Sequence, residues 1–315
     1  MSDKPDNFGK YLTILAILVL GGALTVGGIN YFVDPYMIFG NNQLGNFSSA
    51  DRESKSFYYD RGDYDAIIMG NSRAAMIPAD QLQGHNFFSA TFGGALPEEL
   101  FFFTDRFVKD VDVAVILLDQ TSFSDKSPLV DDPFTPPSVT EKLAKLFGMQ
   151  ALDESIKTIR RSAKGEAPTF ADDGSFIMHR WITARSIPNE ALLQREFDTH
   201  RESYENFELM PERMTYLRRL VEDLRGRGAW VVAVIAPVHE HSLELMEGTP
   251  AAEQLAEWKQ QVRDIFPNTI DLMDSEYSAS ENFLATDPTH YKPEVGVRMI
   301  NESVLPLRTA PRKID

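Results

Sequence analysis

The sequence predicts a three-layer α/β/α body built on a parallel sheet and preceded by one N-terminal transmembrane helix. Three observations carry that expectation. A long uncharged apolar run stands near the start, short apolar runs of strand length recur along the rest, and amphipathic helical stretches separate them. The bulk composition agrees: 43% hydrophobic and 25% charged residues suit a globular chain, and the absence of cysteine excludes disulfides, a thiol nucleophile and thiolate-ligated zinc.

The apolar run reads YLTILAILVLGGALTVGGINYFV from Tyr11 to Val33, 23 residues without a charge. At ~1.5 Å per residue it covers ~35 Å, enough to cross a hydrocarbon core of ~30 Å. Tyr11, Tyr31 and Phe32 stand where interfacial aromatics are favoured. A cleaved signal peptide has a shorter apolar region ending in a small-x-small site, and here the run continues past Ala23 and Gly27. An uncleaved anchor is therefore expected. Lys4 and Lys10 precede it, and Asp34 to Ala50 contains no Lys or Arg. Positive-inside bias then gives a cytoplasmic tail at 1–10, the anchor at 11–33 and a body outside the cytoplasm, in the periplasm from the inner membrane.

A connector at 34–63 leads into a domain at 64–315. Its expected strands are Tyr64–Gly70, His85–Thr91, Asp112–Asp119, Ala229–Pro237 and Asn268–Met273. Its helices are Pro97–Lys109, with Phe101 to Phe103 as core, Pro211–Arg227, Pro250–Ile265 and a closing helix over Glu294–Leu305. Residues 120–209 break the rhythm with Pro, Asp and Lys, and read as a lid-like insertion over the carboxyl edge of the sheet. There His179, Arg180 and Trp181 form a cluster suited to packing, with contact to a sugar ring as the sharper alternative.

In an open α/β sheet chemistry sits beyond the carboxyl ends of the strands. Gly70-Asn71-Ser72-Arg73 closes the first strand and puts Ser72 on an expected strand-to-helix turn, where its N–H favours developing negative charge. Helix capping is the bland reading of that serine. Far along the chain, Asp287-Pro288-Thr289-His290 spaces a carboxylate so that it can orient an imidazole, which is what the base of a serine nucleophile needs. Each motif is weak alone. Their joint occurrence in this order is more specific.

These blocks resemble the SGNH, or GDSL-like, hydrolase superfamily. Gly70-Asn71-Ser72-Arg73 matches the nucleophile block, with Asn71 where many members have Asp. Asn86 to Ala95, with Gly93 and Gly94, resembles the block whose glycine donates to the oxyanion hole, and Asp287 and His290 match the base block. The resemblance implies a flavodoxin-like sheet and a catalytic Ser72, Asp287 and His290, with the Ser72, Gly93 and Gly94 N–H groups around the oxyanion. Where the family presents an Asn after the third strand, this chain reads Asp119-Gln120-Thr121-Ser122, so either Gln120 or Ser122 donates instead, or activity is weaker or differently directed. Losing one such donor costs ~3 kcal/mol of transition-state stabilisation.

Arg73, His239 and His241 are the substrate-binding candidates; a structural salt bridge for Arg73 and solvated loop histidines are the alternatives. His239-Glu240-His241 lacks a clear third ligand nearby, so solvated loop histidines are preferred to a metal site, and a metal-dependent hydrolase on these residues and nearby acids is the weakest alternative. His85 reads as structural. No phosphate loop and no Gly-x-Gly-x-x-Gly follow the first strand, which leaves no nucleotide cofactor to expect. A net charge of −16 argues against nucleic acid. The resemblance thus implies a membrane-anchored serine esterase or O-acyltransferase acting on acyl (acetyl) esters of an envelope or exported polysaccharide, beside a polytopic membrane acyltransferase. A non-catalytic scaffold or binding module of an envelope-polymer complex is the competing reading.

Overall fold

The fold is that of a computed structural model describing residues 8–309. Most of the expected cytoplasmic tail therefore lies outside the described residues. In chain order the elements are α1 (Phe8–Val33), α2 (Asp51–Tyr59), β1 (Ala66–Gly70), β2 (Phe87–Thr91), α3 (Pro97–Phe107) and β3 (Val113–Leu118). Then come α4 (Val139–Phe147), α5 (Met149–Ala163), α6 (His179–Arg185), α7 (Glu190–Glu205), α8 (Pro211–Gly226) and β4 (Trp230–Ile235). The chain closes with α9 (Glu240–Met246), α10 (Pro250–Ile265), β5 (Ile270–Asp271), β6 (Phe283–Leu284), β7 (Asp287–Tyr291), α11 (Pro293–Met299) and α12 (Pro306–Thr309).

Two units partition these elements. One comprises the chain up to Ser54 together with Thr135–Thr169, and the other Lys55–Phe134 together with Phe170 onward. Residues 120–209 are thus shared between the units.

The first unit holds α1, α4 and α5. The helix α1 is long and apolar enough to cross a membrane, and nearly all of it lacks cover from the rest of the protein. Beyond it the chain turns tightly. The buried Asp34 carboxylate accepts the N–H groups of Ile38, Phe39 and Asn41 at 2.9, 2.9 and 3.2 Å. Asn46 continues the stitching: its amide donates to Ser54 Oγ at 2.6 Å, and its carbonyl accepts the Thr169 N–H at 2.6 Å.

The second unit is mixed α/β, with a five-stranded sheet in the order β2-β1-β3-β4-β5, every pairing parallel. That is the flavodoxin-like order, whose ligand crevice lies where the strand order reverses, beside the carboxyl end of β1. The three central strands β1, β3 and β4 are apolar throughout because both faces are covered, whereas β2 carries the buried Ser89 and Thr91. Ala66, Ile68, Val113, Val115, Val232 and Val234 share a core with Tyr291, Val295 and Met299. Opposite them, Met69 lies under α3, whose Thr104 hydroxyl contacts its sulfur, and Phe88 stacks on Phe103. The buried Arg213–Glu98 pair, at 3.4 Å, ties α8 to α3.

Two local expectations are corrected. The helix after Ser72 is a single 3-10 turn, Ala74–Met76, too short to supply a helix dipole. The closing helix runs as expected from Pro293, but its last turn, Ile300–Val304, is π-helical rather than α-helical.

Gly70 ends β1 at φ +150°, and a Cβ there would lie 2.8 Å from both Leu117 O and Ala74 Cβ. A side chain at this position meets both strain and a clash with backbone, worth on the order of 1–3 kcal/mol for the strain alone. Gly70→Ala in the detergent-solubilised chain should lower the unfolding free energy by about 2 kcal/mol or more in urea melts. An unchanged midpoint would contradict this reading of the turn.

Candidate active site

The two motifs meet above the carboxyl ends of β1, β3 and β4. His290 Nε2 lies 2.9 Å from Ser72 Oγ. On its other side, His290 Nδ1 lies 3.1 and 3.0 Å from the two Asp287 oxygens. The same carboxylate accepts the Thr289 and His290 N–H groups at 3.1 and 3.3 Å, so the Asp-x-x-His spacing closes on itself. These residues sit on the strand β7, paired antiparallel to β6, rather than on a free loop. Burial opposes the charge of Asp287, yet the bond and charge of His290 outweigh it and hold the carboxyl below its ordinary value. Ser72 and His290 remain partly exposed, and Asp287 is buried. That is the exposure expected of a nucleophile and base open to a ligand with a shielded orienting group.

Arg73 explains why β7 lies where it does. Its Nε donates to Thr289 O at 3.0 Å, one Nη to Asp119 Oδ2 at 2.9 Å and the other to Pro237 O at 3.0 Å. One guanidinium thereby joins β7 to the ends of β3 and β4. Tyr291, fully buried, returns the connection through its hydroxyl, which donates to Arg73 O at 2.7 Å. Arg73 is itself buried. Its guanidinium is engaged by these protein acceptors, the salt-bridge alternative weighed above for Arg73 rather than its role in binding substrate.

Asp119, placed where the resemblance asks for Asn, is the counter-ion of that cluster. Burial raises its pKa, but the Arg73 charge and the Thr121 N–H and hydroxyl, at 2.9 and 2.8 Å, bring it below the usual carboxylate value. Gln120, expected as an oxyanion donor, is buried, and its amide donates to Ala251 O at 2.8 Å instead. Ser122 Oγ accepts the Asn71 amide at 3.0 Å. Gly93 and Gly94 are exposed just past β2, and among the described residues no acceptor takes the Ser72 N–H.

The two further histidine candidates serve α9. His239 is buried between Phe197 and Phe283, and its Nδ1 accepts the His241 N–H at 3.1 Å as the helix cap. Burial lowers its pKa. His241 Nδ1 pairs with Glu244 at 2.7 Å and its ring meets Phe197. Neither is arranged with other ligands around a metal. Among the described residues the group with metal-ligand spacing is Asp65, His85 and Asp112, at the opposite ends of the strands. There the Arg308 guanidinium donates to His85 Nε2 and approaches Asp112 at 3.7 Å, supplying the positive charge itself.

Residues 179–205 bring further partners, Trp181 of the cluster noted above and others without a local sequence signal. Trp181 stands edge-on to the His290 ring, centroids 5.1 Å apart. The Arg185 carbonyl accepts both the N–H and the hydroxyl of Thr286 at 3.0 Å, next to Asp287. His200 bridges two hydroxyls, Ser242 at 2.8 Å and Thr289 at 2.7 Å. Burial pushes its pKa down to about 4, so near neutrality it is an uncharged ring with one donor and one acceptor. Behind Thr289 lies a cavity of about 170 Å³, bounded by Arg73, Asp119, His200 and Tyr204 among others. It adjoins the Arg73 cluster rather than the Ser72 hydroxyl.

No family model and no curated protein matches this chain.

Both carboxylates of the cluster ionise below their ordinary value of 3.8. A depressed folded-state pKa contributes stability above the unfolded value, and the contribution is lost as pH falls through the folded value. Unfolding free energy should therefore decline below about pH 4. Asp119→Asn should flatten part of that acid slope while lowering the neutral-pH plateau by about 3–5 kcal/mol, because Arg73 is left without its counter-ion. An acid series of urea melts on both proteins checks this; identical slopes would contradict it.

Proposed function

We propose that the chain is a serine-dependent acyl-transfer enzyme, an esterase or O-acyltransferase. The observation that carries the proposal is the unbroken line Ser72 Oγ, His290, Asp287, each link within hydrogen-bond reach. In this reading His290 Nε2 takes the Ser72 proton as Oγ attacks an ester carbonyl. Asp287 holds the Nδ1–H tautomer and stabilises the imidazolium. The tetrahedral intermediate places its oxyanion toward the Ser72 N–H, with Gly93 or Gly94 as the second donor. Collapse breaks the ester C–O bond, and the leaving oxygen takes the proton from His290. The acyl group, now on Ser72, passes to water or to a second hydroxyl by the reverse proton path. Hydrolysis and transfer share this intermediate.

The resemblance to SGNH hydrolases, together with a helix able to anchor the chain, supports the finer assignment. The acyl (acetyl) group would be exchanged on an envelope or exported polysaccharide, in the periplasm from an inner-membrane anchor, beside a polytopic membrane acyltransferase. A scaffold reading draws support from Gln120, whose amide is spent on Ala251 O, which leaves the Ser122 hydroxyl to stand in for the Asn of the resemblance. The closed line from Ser72 to Asp287 counts against it, since a helix cap needs no imidazole at its hydroxyl.

Fluorophosphonate labelling of the full chain, with p-nitrophenyl acetate turnover in parallel, tests the proposal. Label on Ser72 should vanish in Ser72→Ala and His290→Ala. Asp287→Asn should keep the fold and cut turnover by on the order of 10⁴. No labelling and no turnover from the folded protein would overturn the enzyme reading in favour of the scaffold.

A further inference from the structure

The first unit contains a surface that acyl transfer does not use. We propose that α4 and α5 form an amphipathic collar lying on the bilayer around the carboxyl-terminal end of α1. Their apolar side chains would enter the acyl-chain boundary, and their basic side chains would meet anionic headgroups. The proposal rests on α1 crossing the membrane and is independent of the chemistry at Ser72.

The observations begin on α1. From Leu12 to Leu24 every Leu, Ile and Val is at least half exposed. Protein cover starts at Gly27, where a Cβ would come within 2.7 Å of the Phe147 ring. Three residues on, Asn30 is only 1% exposed. Its amide donates to Leu146 O at 2.9 Å and Gly148 O at 3.2 Å, with Lys145 O at 3.4 Å, and its carbonyl accepts Ser155 Oγ at 2.9 Å. A polar residue in an apolar helix is thereby accounted for. It satisfies carbonyls that the last turn of α4 leaves open and fixes the α4–α5 hairpin to α1. Phe8 to Gly27 spans ~29 Å of helix, close to the ~30 Å of a hydrocarbon core. The hairpin therefore docks at the depth where the core gives way to headgroups.

What α4 and α5 show outward fits that depth. Val139, Leu143 and Phe147, spaced four apart along one face of α4, are 75%, 49% and 45% exposed, and Met149 at the start of α5 is 69% exposed. Ile156 and Ile159 continue the exposed apolar surface along α5, while Ala151, Ser155 and Thr158 form its buried face. In water such a surface is costly; at an interface it is the driving force for binding.

Charge agrees. Residues 135–169 carry Lys142, Lys145, Lys157, Arg160, Arg161 and Lys164 against four acids, in a chain whose net charge is −16. Lys157 and Arg161 are engaged by acids of the same unit, and Lys145 lies over the Tyr36 ring. Lys142, Arg160 and Lys164 make no ion pair among the described residues. Long basic side chains on an interfacial helix extend to headgroups while their stems cover apolar surface.

The cysteine-free chain permits a direct test. Single-cysteine variants Val139→Cys, Leu143→Cys and Met149→Cys would carry a nitroxide, with Leu18→Cys in α1 and the exposed Glu212→Cys as references. Each full-length protein would be reconstituted in phosphatidylglycerol–phosphatidylcholine vesicles, and accessibility to oxygen and to a water-soluble nickel chelate compared by electron paramagnetic resonance. At the three collar positions oxygen should prevail over the nickel chelate several-fold relative to Glu212→Cys, at a depth shallower than Leu18→Cys. Collar positions resembling Glu212→Cys, with Leu18→Cys deep, would overturn the collar and leave the span standing. Leu18→Cys in water would overturn the span and the collar with it. Collar positions shielded from both reagents would show protein, a second copy, covering the face and would overturn the lipid assignment.

Discussion

The site depends on one guanidinium. Arg73 follows Ser72 directly, and its donors reach a carbonyl on β7, the carboxylate after β3 and a carbonyl after β4. A planar fork with donors in fixed directions can hold three acceptors from three segments, whereas an ammonium offers a single charged centre on a flexible stem. Because Arg73 and Ser72 are neighbours, fixing the Thr289 carbonyl to one fixes His290, the next residue, against the other. The Tyr291 hydroxyl on Arg73 O repeats the constraint from the far side of His290. Asp119 makes the arrangement electrically tolerable, since a buried cation without a counter-ion costs several kcal/mol. The residue that departs from the resemblance thus has a task of its own: it balances Arg73 instead of donating to an oxyanion.

Around this cluster a second ring of contacts limits what β7 can do. His200 holds the Thr289 hydroxyl, Arg185 holds Thr286 through its carbonyl, and Trp181 meets the His290 ring edge-on. All three come from the segment between α5 and α8. That segment contains the bracing of the base strand as well as the walls near it. In the proposed acyl transfer such preorganisation would spare reorganisation energy as charge develops on the imidazole.

Much of this could be read from the sequence. The buried strands of the parallel sheet announce themselves as short, largely apolar runs, clearest in β3 and β4, and each lies within a few residues of its expected bounds. Ser72, Asp287 and His290 followed from chemistry and spacing, and the structure brings them together. The misses have physical reasons. A helix after Ser72 was inferred from the usual strand-to-helix order, yet Gly70 at positive φ redirects the chain into a single 3-10 turn. Gln120 was read as a donor because its place in the sequence was right, and the direction of its side chain is set by Ala251, which is distant in sequence. His200 meets Thr289 across 89 residues without a motif at either end. Arg73 was weighed as a ligand for substrate beside its salt-bridge reading because its three acceptors come from segments that only the fold assembles. The association of α4 and α5 with α1 rests on Asn30, whose partners lie more than a hundred residues away.

The central claim is that Arg73 sets the register of His290 on Ser72, and the rate of fluorophosphonate labelling of Arg73→Lys measures it most directly. Lysine keeps the charge beside Asp119 and loses the fork that reaches Thr289 and Pro237. Compared at equal folded fraction by circular dichroism, Arg73→Lys should lose the Ser72 label as His290→Ala does. A folded Arg73→Lys protein labelled at the wild-type rate would contradict the account, because His290 would then hold its place without the guanidinium.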